Sequence, residues 1–151
     1  MRGDSCMNNK NGLARLLIIL GAGVLFLSAA FHTLVAYPRV AAAVNVSNLS
    51  PTLKIALRTV FILVGWNWLA IGLLALLIGL RAGTPRKLLA LFLGTSILVE
   101  TGLSLAMMGV FVGNELLAAA AALLLAGGLL LRESRLSAPR QELRDITQIG
   151  A

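Results

Sequence analysis

The run Leu16–Tyr37, LLIILGAGVLFLSAAFHTLVAY, decides the fold because it carries no formal charge from end to end. At ~1.5 Å rise per residue, a helix of that length crosses the ~30 Å hydrocarbon core of a bilayer. Backbone groups in hydrocarbon find no water, so a long apolar run must satisfy them internally by coiling. A cleaved signal peptide is the competing reading: Arg2, Lys10 and Arg15 form a basic leader, and Ser28-Ala29-Ala30 offers small residues for cleavage. The run stays apolar past that site to Val35, which favours a span.

Three further apolar runs follow. Ser50-Pro51 supplies an N-cap with proline in the first helical turn, and Thr84-Pro85 repeats the signal. Gly113-Asn114 reads as a helix stop followed directly by a new cap. The expected spans are 16–37, 56–80, 88–112 and 115–131, between a basic N-terminus (1–15) and a polar tail (132–151). The fold class is an all-α membrane protein with four transmembrane helices in a compact antiparallel bundle. Composition agrees: 58% of the 151 residues are hydrophobic and 13% charged, with a mean hydropathy of +0.90, outside the balance of soluble domains. Lipid is the expected solvent.

Composition also excludes several functions. The net charge of +7 comes from short clusters beside the spans, where basic residues act as anchors, so nucleic acid is not an expected partner. Cys6 is the only cysteine, which removes internal disulfides and Cys-x-x-Cys chemistry. With a single histidine and no ligand spacing at Met107 and Met108, neither haem nor a metal is expected, and no cofactor is assigned. Asn45-Val46-Ser47 and Asn48-Leu49-Ser50 match the glycosylation sequon by chance.

Orientation follows from the basic residues. With the N-terminus inside, that side holds Arg2, Lys10, Arg15, Arg81, Arg86, Lys87, Arg132, Arg135, Arg140 and Arg144, against Arg39, Lys54 and Arg58 opposite. The bias places both termini in the cytoplasm and the chain in a cell inner (plasma) membrane. Gly65, Gly72 and Gly79 recur on span two, and Gly102 and Gly109 on span three, so those two spans are expected to pack closely at small-residue stripes.

Three strongly polar side chains interrupt the spans: His32, Asn67 and Glu100. A carboxylate at the bilayer centre costs about 2.5–3.5 kcal/mol on insertion scales, so Glu100 must face protein or a wet cavity. Ser96, Glu100 and Ser104 share one helical face, and Asn67 lies between Trp66 and Trp68, roughly opposite Gly65. The expected site has Glu100, His32 and Asn67 as catalytic groups lining one pocket. Trp66, Trp68, Ser96 and Ser104 would form its substrate-binding wall, with a hydrophobic small molecule as ligand.

Four spans around one glutamate resemble the small multidrug transporters in outline. Those carry the glutamate in their first helix, whereas Glu100 lies in the third span; the Arg and Asn motif of the membrane-bound glutathione and eicosanoid enzymes is also missing. Neither family is assigned. Three readings stay open. The first is an interaction or accessory subunit, in a homo-oligomer or larger membrane complex, with the polar groups as glue. The second is an isomerase- or cyclase-type enzyme acting on a lipid-like substrate through Glu100 and His32. The third is a proton-coupled transporter.

Overall fold

The computed structural model describes residues 3–81, 86–110 and 112–131; the Thr84-Pro85 start signal and the tail from Arg132 lie outside them. Ser50 caps the second crossing as its position predicts, its Oγ accepting from Leu53 N at 3.4 Å, with Pro51 opening the helix. The elements are α1 (Gly3–Phe31), a π-helical turn (His32–Ala36), α2 (Tyr37–Val46), α3 (Pro51–Leu80), α4 (Arg86–Met108) and α5 (Val112–Leu130). Four helical stretches are long and apolar enough to cross a membrane, the first being Lys10–Val46. The protein is an all-α bundle of four such helices.

The first stretch runs further than 16–37. Tyr37-Pro38 reads as a break, because proline lacks an N–H and its ring clashes with the carbonyl four residues earlier. The π turn absorbs the clash: Tyr37 N–H bonds His32 O, five residues back, and the wider turn makes room for the ring. The alanines at 41–43, strong helix formers, then continue the coil as α2.

The α4–α5 turn comes earlier than Gly113-Asn114. Gly109 adopts the left-handed conformation (φ 76°), its N–H bonding Leu105 O at 3.0 Å to end α4. Asn114 lies inside the first turn of α5 and donates through Nδ2 to Gly109 O at 2.7 Å. Its Oδ1 accepts from Ser104 Oγ at 2.8 Å. The asparagine thus closes the hairpin from within α5.

The packing order also departs from the glycine reading. α1 packs extensively on α3 and α5, and α5 on α4, whereas α3 and α4 barely touch. The Gly65, Gly72 and Gly79 stripe faces α1 and the π turn that continues it: a Cβ on Gly65 would stand 3.1 Å from Thr33 Oγ1, one on Gly72 3.0 Å from the Phe26 ring, and one on Gly79 2.6 Å from Ile19. A Cβ on Gly102 or Gly109 would meet nothing within 4 Å among the described residues. A seven-residue interval makes a flat stripe without naming the helix that meets it. The tightest seams belong to α5. A Cβ on Gly127 would lie 2.9 Å from Ala14 O and 3.2 Å from Ile18 N, and one on Gly94 of α4 3.0 Å from Leu125 N. Around these contacts Ile18, Leu25, Ile97, Leu117 and Leu124 are fully buried. At the far end of α3, Arg15 donates from Nε to Gly79 O (2.8 Å) and from Nη2 to Leu80 O (2.9 Å), satisfying carbonyls that a helix end leaves open.

Because backbone cannot retreat as a flexible side chain can, Gly127→Val is expected to lower bundle stability by about 1–3 kcal/mol. Gly102→Ala should change it by less than about 0.5 kcal/mol. Denaturant titration of the purified protein in detergent micelles, followed by circular dichroism, checks the contrast.

Candidate functional site

Gly65 creates the space around which the polar cluster forms. A Cβ there would stand 3.2 Å from His32 Cδ2, so its absence lets the imidazole lie against the α3 backbone. His32, first residue of the π turn, reaches Phe61 O through Nε2 at 2.8 Å. A carbonyl only accepts, so Nε2 carries the proton. The imidazole also stacks on the Phe61 ring (centroids 3.9 Å, planes 11° apart) and meets Trp68 edge-on (4.7 Å, 70°). Trp68 completes the chain of contacts by donating from Nε1 to Glu100 Oε1 at 2.7 Å. Three helical stretches are thereby tied in the order His32, Trp68, Glu100. The indole hydrogen bond bridges α3 and α4 where the two helices otherwise scarcely meet.

The carboxyl and the imidazole do not bond to each other; Trp68 contacts both. The indole is buried, whereas His32 and Glu100 are half-buried. Beside the cluster, Tyr37 brings its ring within 6.2 Å of Phe61, and Arg58, one turn earlier on α3, has a buried Nε with no hydrogen-bond partner among the described residues.

The other expected site residues go elsewhere. Asn67 is exposed on the opposite side of α3 from Gly65 and makes no side-chain hydrogen bond among the described residues. Trp66 is 63% exposed and flanks a shallow apolar groove of about 320 Å³ between α1 and α3, beside Phe26, Thr33 and Leu69. Ser96 donates to Phe92 O in its own helix at 2.9 Å, and Ser104 belongs to the α4–α5 turn. Neither hydroxyl reaches Glu100. Phe61 was not singled out by the sequence reading, although it lies four residues before Gly65 and seven before Trp68, on the face that meets His32. Asn114 was read as a cap and not as a partner of Ser104.

Fold and cluster together define a multi-pass α-helical membrane protein with an aromatic and carboxyl clamp across three of its helices. Compared with protein-family models, curated proteins and solved structures, the chain matches none.

If the clamp holds the bundle, Trp68→Phe should lower stability by about 1–2 kcal/mol, because the ring survives but Glu100 loses its donor. Glu100→Gln should stay within about 0.5 kcal/mol, since an amide oxygen accepts the same indole N–H. Thermal melts of both variants in one detergent, monitored by near-ultraviolet dichroism, decide between this order and its reverse.

Proposed function

We propose that this is a membrane-embedded interaction protein, an accessory subunit that assembles laterally in the bilayer, and that His32, Trp68 and Glu100 hold its own helices together. The observation that carries this reading is the place of Trp68: its indole lies against the imidazole and bonds the carboxyl. Acid–base chemistry shared by His32 and Glu100 would need a substrate atom within reach of both. Meanwhile α3 turns Trp66 and Asn67 outward, and α3 and α4 each bury only 28% of their most apolar stretch, against 44% for α5. These two helices are the ones with surface left for a neighbour. The distribution of Lys and Arg, ten against three, supports placing both termini on the cytoplasmic side of a plasma membrane.

A second reading draws on one feature of Glu100. The carboxyl is half-buried at the edge where α3 and α4 hardly touch, a position from which a lipid-like substrate or an exchanging proton could be met from the membrane.

Two measurements separate these readings. A photo-reactive benzoylphenylalanine at Leu63, exposed on α3, is expected to give protein adducts on irradiation in native membranes. Glu100→Gln is expected to complement a deletion strain as well as the wild-type chain does. Lipid adducts alone, or loss of complementation by a Glu100→Gln protein that melts normally, would overturn the assembly reading, the second outcome in favour of chemistry at the carboxyl.

A further inference from the structure

Asn67 carries a carboxamide with no hydrogen-bond partner among the described residues, in the middle of a spanning helix. His32, Trp68, Ser96, Glu100 and Ser104 all have hydrogen-bond partners within the described residues. Asn67 has none, and it is exposed. It lies near the midpoint of the 30-residue α3, so water is roughly 15 Å away in either direction across a ~30 Å core. The side chain is too short to snorkel that far. Two amide hydrogens and a carbonyl oxygen facing hydrocarbon are unfavourable until another polar group meets them.

We propose that the partner is a second copy of this chain, and that two protomers pair along α3 with Asn67 against Asn67. The inference rests on the lateral-assembly reading and specifies its partner. A carboxamide is both donor and acceptor, so two of them related by a twofold axis satisfy each other, one N–H to one C=O in each direction. Copies inserted with the same orientation can be related by a twofold axis along the membrane normal. Such an axis brings each residue near it against its own counterpart. The flanking positions on that face suit the contact: Val60, Leu63 and Leu74 are exposed apolar side chains, and Ala70, one turn from Asn67, is small enough for the backbones to approach. A single interhelical amide pair of this kind changes association about tenfold in model helices.

The test uses the full chain labelled with donor or acceptor dye at its single cysteine, Cys6, and reconstituted in phosphatidylcholine–phosphatidylglycerol vesicles at falling protein-to-lipid ratios. Energy transfer is expected to report dimers for the wild type. The dissociation midpoint should shift about tenfold towards higher protein density in Asn67→Val and by less than about threefold in Asn67→Gln, which keeps the carboxamide. Because Asn67 bonds nothing among the described residues, Asn67→Val should melt in detergent like the wild type. The proposal is overturned by a wild type that stays monomeric at every ratio, by an Asn67→Val protein that dimerises as well as the wild type, or by one whose bundle melts well below it. If the wild type is monomeric while the Leu63 probe still captures a different protein, self-pairing fails and the assembly reading stands. Lipid adducts alone from that probe remove both.

Discussion

Gly127 and Gly128 are neighbours in sequence that serve different helices. Consecutive helical residues point about 100° apart, so Gly127 receives Ile18 and the Ala14 backbone from α1, while Gly128 receives Leu91 from α4. This two-sided close approach is the constraint on which the bundle depends. Burying leucine against leucine gains little when the solvent is itself hydrocarbon, and what remains is dense backbone contact and interhelical hydrogen bonding. α5 is the shortest of the four spanning helices, yet it is the most covered, because its small residues let two helices come close at once. The order α3, α1, α5, α4 follows from which helices can approach which.

That order leaves an edge between α3 and α4, and the polar cluster lies across it. Trp68 is suited to the position: its ring fills space against His32 while its N–H satisfies Glu100, so one side chain serves both apolar and polar neighbours. The π turn matters to the same cluster. It accommodates Pro38 and begins at His32, and the Gly65 gap lets the imidazole reach a backbone oxygen. The carboxyl and the imidazole, both costly in hydrocarbon, are thereby placed without an ion pair.

The spans were legible because their signals are local. Charge-free length and the Ser50-Pro51 cap depend on neighbouring residues alone, and the structure keeps them. Signals depending on a partner were less legible. Gly109 and Gly113 are equally plausible helix stops in sequence, and the choice of Gly109 goes with the Asn114 and Ser104 bonds that secure it. The glycines of α3 announced a seam but not its occupant, which is α1. His32 and Glu100 were conspicuous through the cost of polarity in lipid. Trp68 sits three residues after Gly65 and so on its stripe, a periodicity that the grouping of Trp66, Asn67 and Trp68 in one expected site did not use; Asn67 and Trp66 share its segment but not its face. The Phe61 carbonyl could not be anticipated, since a backbone acceptor becomes reachable only where a neighbouring side chain is missing.

The central place of α5 bears on how the chain is made. Synthesis from the N-terminus delivers α1, α3 and α4 before α5, the helix that joins α4 to α1, so of the three main seams of the finished fold only that between α1 and α3 can close before α5 is made. Arg15 can already hold the end of α3 at that stage, but the α1 surface around Ala14 and Ile18 stays uncovered until residues 112–130 leave the ribosome. The bundle can therefore be completed only when its last helix is in place, because both of the seams made by α5 depend on it.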